Sequence, residues 1–229
     1  MTEDRDKLIK NEERLDDLQY KGLYLIQHPK KYCFTSDAVM LANFVKGGVK
    51  DSMVDLCSGS GIIGILASQK RGVKKTILVE LQEYLADMSQ RSVEYNGLQG
   101  QIEVVNSKLQ GIHKKLGQGA FSIVVCNPPY KLNGSLLNED MEIATCRHEI
   151  TITLEEIIDE ASKLLKFGGK FYIVNKEERM VDILCLCRKH GLETKEVDVI
   201  PSIKGANVVM IEAVKGGKSG VKIKITPRV

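Results

Sequence analysis

The chain has 229 residues, 43% hydrophobic and 28% charged, with a formal net charge of +3. That composition suits a globular protein with a full core and excludes collagen-like, disordered and disulfide-scaffold classes. No stretch approaches the roughly 18 uninterrupted apolar residues of a membrane span. The opening MTEDRDKLIKNEERLDDLQY is charged throughout and has no apolar signal-peptide core, so a cytoplasmic protein is expected.

Six cysteines, Cys33, Cys57, Cys126, Cys146, Cys185 and Cys187, are scattered through apolar runs without a CxxC pair. They read as reduced, mostly buried thiols, and no metal is expected because no His/Cys/Asp cluster has ligand spacing. Charge is uneven. Residues 204–229 hold six Lys/Arg against one acid, Glu212, a balance of +5 that leaves −2 for the rest. Such asymmetry fits an anionic partner such as nucleic acid, or a solvated lysine-rich edge.

In chain order, residues 1 to about 20 read as a polar helix, with Leu8, Ile9, Leu15 and Leu18 at roughly helical spacing. GLYLIQHPKKYCFTS then suggests a short hairpin or irregular cover. Ser36 can cap a helix over 37–45. From there strand-like and helix-like runs alternate. Strands are expected at 52–56, 76–79, 102–105, 121–126 and 170–174, and helices at 61–70, 81–96, 154–165 and 179–190. Residues 106–119 read as a short helix or loop. Two late strand runs, 194–200 and 208–214, have no helix between them and predict an antiparallel hairpin. The expected fold is therefore α/β, Rossmann-like: a mostly parallel seven-stranded sheet with a C-terminal antiparallel hairpin and helices on both faces. Residues 1–45 form an N-terminal extension to a single domain at 46–229.

Met53-Val-Asp-Leu-Cys-Ser-Gly-Ser-Gly-Ile-Ile-Gly64 sits where the first strand of that domain meets a helix. Gly59, Gly61 and Gly64 match G-x-G-x-x-G, a weak signal alone. Asp55, just before the glycines, sharpens it. A carboxylate there repels a pyrophosphate and suits a cationic ligand, such as the ammonium and sulfonium of S-adenosylmethionine. Glu80, ending the second strand, can accept both hydroxyls of a ribose, or can start a helix facing solvent. Asn106, ending the third, is placed for an adenine amine or for a structural turn.

Ser122-Ile-Val-Val-Cys-Asn-Pro-Pro-Tyr130 is the most informative segment. Two prolines stiffen the backbone and remove N–H donors, Asn127 adds a carbonyl acceptor, and Tyr130 a flat face. Such a pocket suits a planar group bearing NH2. Acceptors that hold both N–H bonds stabilise the charge that develops on nitrogen during methyl transfer, and no general base is required.

Asp55-Leu-Cys-Ser-Gly-Ser-Gly61, Glu80 and Asn127-Pro-Pro-Tyr130, in that order, resemble class I S-adenosylmethionine-dependent methyltransferases that modify exocyclic or amide nitrogens. Tyr32-Cys-Phe-Thr-Ser-Asp-Ala-Val-Met-Leu-Ala42, Cys146-Arg-His-Glu149, Gly168-Gly-Lys170 and Ala213-Val-Lys-Gly-Gly217 are similar to segments of the bacterial tRNA1(Val) adenine-N6 methyltransferases. The resemblance spans about residues 20–217. It implies a methyltransferase domain and methylation of N6 of adenosine 37 beside the anticodon, with the tRNA anticodon stem-loop as partner. Release-factor glutamine-N5 methyltransferases, which also use Asn-Pro-Pro-Tyr, are the alternative.

The combined reading assigns S-adenosylmethionine to Asp37, Asp55, Cys57, Gly59, Gly61, Glu80, Leu81, Asn106 and Asn127. Asp37 either contacts the methionine amino group or caps the early helix. Asn127, Pro128 and Tyr130 form the amine pocket. Tyr130, Arg147, His148, Lys215 and Lys218 are expected to contact substrate, with His148 open to a structural role as well.

Overall fold

In the computed structural model, which describes residues 7–31, 33–129, 152–202 and 205–227, the alternating runs build one eight-stranded sheet. A separate antiparallel pair, β1 (Arg14–Asp17) and β2 (Tyr24–Gln27), comes first, followed by α1 (Ser36–Phe44). The main sheet is then laid down as β3 (Ser52–Leu56), α2 (Ile62–Arg71), β4 (Lys75–Glu80), α3 (Glu83–Tyr95), β5 (Ile102–Asn106), α4 (Ile112–Leu116) and β6 (Phe121–Cys126). After the interval it continues with α5 (Leu154–Leu164), β7 (Leu165–Lys176), α6 (Met180–Lys189), β8 (Leu192–Ile200), β9 (Val208–Lys215) and β10 (Lys222–Ile225).

Strand order is β10-β8-β9-β7-β6-β3-β4-β5. The chain steps outward from β3 to β4 to β5, then returns to place β6 on the other flank of β3. Reversing the direction of travel moves the helices to the opposite face. One core cluster accordingly joins residues of α1 and α2 to Met53, Leu78 and Tyr172. The other joins α4, α5 and α6 to Val54, Leu56, Cys126 and Phe171. The expected hairpin is present: β9 lies between β7 and β8, antiparallel to both. Among the described residues no helix is long and apolar enough to cross a membrane.

Local sequence accounts for much of this. Strands β3, β4 and β6 are almost wholly buried apolar runs, as expected where helices cover both faces. Helix α5 starts on a capping box, Thr153 accepting from Glu156 N and Glu156 from Thr153 N.

Three expectations need correction. Residues 7–20 are not helical: turns lead into β1, which pairs with β2 from Arg14↔Gln27 to Asp17↔Tyr24. Tertiary contacts override the weak helical spacing here. Leu8, Ile9 and Leu15 pack on Ile26, Leu85 and Met88, and Arg91 of α3 grips Glu13 at 2.6 and 2.7 Å. The sheet has eight strands rather than seven, because Lys-Ile-Lys-Ile at 222–225 adds parallel to β8. Its ladder to β8 is joined by the 2.5 Å ion pair of Lys224 with Glu196 and the 2.8 Å bond from Thr226 Oγ1 to Asp198. Finally, Thr35 rather than Ser36 is the N-cap of α1, with no side-chain cap bond.

Candidate active site

The reversal of strand order between β3 and β6 opens a crevice at the carboxyl ends of the parallel strands, the usual ligand position in open α/β sheets. Asp55 lies near the end of β3, Glu80 ends β4, Asn106 ends β5, and Asn127 directly follows β6. The topology thus gathers four residues spread over more than 70 positions of sequence at one edge.

Asp55 is completely buried, and its Oδ2 accepts the Gly64 N–H at 2.8 Å. Its Oδ1 has no hydrogen-bond partner among the described residues. Burial, with a contribution from the Glu80 charge, pushes the Asp55 carboxyl up to about 8. The approach of α2 to Asp55 requires glycine: a Cβ on Gly64 would lie 2.1 Å from Leu78 Cδ2 and 3.1 Å from Asp55 Oδ2. Gly61 caps α2 at φ 83, in the left-handed region, where a Cβ would again meet Leu78, at 2.9 Å.

Glu80 is buried and braces the same loop. Its Oε2 accepts from Gly59 N at 2.8 Å and its Oε1 from Gln82 N at 2.9 Å. Burial raises its pKa against the lowering by these backbone bonds. Each oxygen keeps a second acceptor site, so a ligand diol can still be held. Asn106 pairs with Glu80 across β4 and β5, and its Nδ2 donates to the carbonyls of Glu80 and Leu81, both at 2.9 Å. The structure therefore gives Asn106 the turn-holding role and leaves its Oδ1 as an acceptor. Leu81, the residue after β4, is 41% exposed.

Cys57 holds φ 57 and packs against the core cluster that contains Cys126. Burial first, and Cys57 second, keep the Cys126 thiol protonated. Asn127 is half-buried and its Oδ1 has no hydrogen-bond partner among the described residues, while Pro128 is buried and Pro129 exposed. Asp37 stands half-buried in the first turn of α1, with Ser36 Oγ 3.5 Å from its Oδ1. Tyr130, Arg147 and His148 lie outside the described residues.

The lysines fall elsewhere. Lys215 pairs with Leu192, the first residue of β8, at the amino end of the parallel strands and thus opposite to the crevice. Its Nζ donates to the carbonyls of Ser162 and Leu165 at 2.6 and 2.8 Å, so this cation caps the end of α5. Lys218, exposed, lies in the turn beyond β9 at that same edge.

One contributor escaped the sequence reading. Ser89 of α3 is buried and donates from Oγ to the Gly59 carbonyl at 2.8 Å. A serine 30 positions from its partner, on an amphipathic helix, carries no local signal of that role. Among the described residues, no three of His, Cys, Asp and Glu gather closely enough to hold a metal. The buried acceptors Asp55 Oδ1 and Asn127 Oδ1, beside the Glu80 carboxyl, suit a ligand with a cation, a diol and an amine donor.

The chain is 23% identical over 139 residues to the tRNA1(Val) (adenine(37)-N6)-methyltransferase of Porphyromonas gingivalis, covering 60% of this chain and 54% of that protein. It is 23% identical over 166 residues to the enzyme of that name from Shewanella sediminis, covering 71% and 67%. The alignment thus spans between about half and two thirds of these relatives. Among solved structures, a predicted O-methyltransferase from Agrobacterium tumefaciens superposes with a TM-score of 0.63 at 21% identity, over 84% of this chain and 85% of that one. A methyltransferase from Pyrococcus furiosus gives 0.62 at 22%, over 85% and 90%. The family model of the methyltransferase small domain matches residues 35–186, the span from the start of α1 through most of α6 that includes Asp55, Glu80 and Asn127, and the chain belongs to that family.

Proposed function

We propose that this protein transfers a methyl group from S-adenosylmethionine to the exocyclic N6 of an adenosine in tRNA, adenosine 37 beside the anticodon. The observation that carries this reading is Asn127 Oδ1, a buried acceptor without a partner among the described residues, at the end of β6 and next to a buried proline. Family membership and the names of the relatives support it.

Asp55 Oδ1, Glu80 and the glycine-loop backbone would hold the cofactor. When bound, the cofactor supplies a methyl already activated on a sulfonium. The protein has to position and stabilise. Glu80 and Ser89 fix Gly59 from both sides of its peptide, holding the loop rigid before any ligand arrives. Asn127 Oδ1 accepts one N–H of the target amine, with the tetrapeptide backbone supplying the second acceptor. Both bonds strengthen as positive charge develops on that nitrogen. The amine proton then leaves to water, so no side-chain base is needed. The planar target base must leave its stack to reach Asn127, which a loop adenosine does at lower cost than a paired one. A tRNA substrate implies a cytoplasmic protein.

Incubation of the full chain with S-adenosylmethionine and unmodified tRNA, followed by digestion and nucleoside mass spectrometry, tests this. N6-methyladenosine is the expected product. Methylation of a release factor with none of tRNA would overturn it.

A further inference from the structure

At the sheet edge opposite to Asp55, β7 leaves its ladder. Pairing with β6 jumps from Phe121↔Leu165 to Ile123↔Lys170, so Lys166, Phe167 and Gly168 bulge outward, with Gly168 at φ 76. Phe167 is 81% exposed, more than any other large apolar side chain described. Its ring is nevertheless seated. A Cβ on Gly216 would fall 2.0 Å from Phe167 Cε2 and 2.6 Å from Cζ, so the ring rests directly on glycine backbone. Gly216 holds φ 68, which glycine adopts readily.

Lysines flank Phe167 at this end of the sheet. Lys166 and Lys218 are exposed and Lys170 is half-buried, and none of the three has an ion pair among the described residues. Lys195 Nζ donates to the carbonyls of Lys218 and Gly220 at 3.0 and 2.8 Å, fixing the second loop and adding positive charge. Lys215 pins the base of the bulge through the Leu165 carbonyl.

We infer that Phe167, with Lys166, Lys170 and Lys218, forms a second RNA contact, in which an unpaired base stacks on the ring and the lysines meet the flanking phosphates. This rests on the tRNA reading above and adds a docking point to it. An aromatic face held open amid unpaired cations matches the two parts of a nucleotide, base and phosphate. Within 166–170 and 215–220 Phe167 is the only large apolar residue and four lysines accompany it, a balance that favours a polyanion, although exposed Val221, Ile223 and Ile225 follow along β10. The Lys170 to Lys176 run of β7 separates the two ends of the strand by roughly 20 Å at about 3.3 Å per residue, the distance an RNA engaging both ring and crevice has to span.

Fluorescence anisotropy with a labelled, unmodified tRNA transcript bearing adenosine 37 measures the Kd of the full chain, with thermal melts to confirm folding of each variant. Phe167→Ala is expected to weaken binding about tenfold or more, Phe167→Leu to weaken it equally, and Phe167→Trp to restore it. Replacing Lys166, Lys170 and Lys218 together by Gln is expected to flatten the salt dependence by about two units of slope, which Phe167→Ala leaves in place. Wild-type affinity in Phe167→Ala, while the wild-type protein methylates the transcript, overturns the inference and leaves the functional reading standing. Wild-type affinity in Phe167→Leu overturns base stacking. A wild-type protein that methylates no tRNA overturns the reading on which the inference rests.

Discussion

The Gly64 N–H donates to Asp55 Oδ2 at 2.8 Å, whereas Asp55 Oδ1, equally buried, meets no protein donor. One oxygen anchors helix α2 and the other is unpaired among the described residues. Held up to about 8 by burial, this carboxyl is largely neutral at lower pH, and a cationic ligand must displace its proton. Affinity for S-adenosylmethionine therefore rises with pH up to about 8, by at most tenfold per unit, and then flattens. Calorimetry between about pH 6.5 and about pH 8.5, in buffers of differing ionisation enthalpy, reads both the affinity and the released proton. A flat profile would show Asp55 ionised before the ligand binds. The ligand-free fold has the opposite slope: the unfolded chain gives up this proton near 3.8, so the group's contribution falls as pH rises to about 8.

Gly64→Ala forces a Cβ to within 2.1 Å of Leu78 Cδ2. Overpacking of this kind costs about 1–3 kcal/mol. Leu78 can yield by moving its side-chain end, whereas the contact with Asp55 cannot be relieved so easily. The double variant Gly64→Ala with Leu78→Ala should thus recover less cofactor affinity than stability. Melting curves and ligand titration on the two variants separate the losses.

Asn127→Ala removes an acceptor that the folded protein leaves unpaired, so stability should hardly change. The rate of methyl transfer should fall roughly 10²-fold, about 3 kcal/mol of transition-state stabilisation. Single-turnover kinetics with saturating cofactor measure this. Near-normal rates would remove Asn127 from the amine pocket.

Arg91 and Glu13 form a buried pair in which both guanidinium nitrogens engage the carboxylate, at 2.6 and 2.7 Å. Arg91→Met alone leaves the Glu13 carboxylate with the Lys10 N–H but without its guanidinium, and takes a donor from Asp87 and the Leu8 carbonyl, at a cost of about 3 kcal/mol. Adding Glu13→Leu should recover most of it. Denaturant unfolding of the single and double variants, with limited proteolysis before β1, reads the pair and its hold on the N-terminal segment.

Lys215→Met should lower the melting temperature by stripping the Ser162 and Leu165 carbonyls of their donor. Its effect on the salt slope of tRNA binding should be smaller than that of Lys218→Gln, because the Lys215 ammonium is already committed to the fold. An equal loss of slope from each would return Lys215 to the RNA contact.

The sequence by itself determined the parts whose signal is local. Apolar runs of strand length, the glycines at 59, 61 and 64 beside Asp55, and Asn127 between a buried strand and two prolines each carry their meaning within about ten residues. Their order along the chain was enough for the α/β class and for placing Asp55, Glu80 and Asn127 at the carboxyl ends of the strands. Tertiary structure decided everything that depends on a partner far away in sequence. Leu8, Ile9 and Leu15 gave a helical spacing, yet Arg91 and α3 draw that segment into turns and a strand. Lys222 to Ile225 became a strand because β8 offered a free edge and Glu196 a countercharge. Ser89 entered the site, and Lys215 proved remote from it, because strand direction fixes which end of the sheet a side chain reaches. Spacing along a chain reports which residues share a face of one element. The end of the sheet they occupy follows only from the pairing of that element with its neighbours.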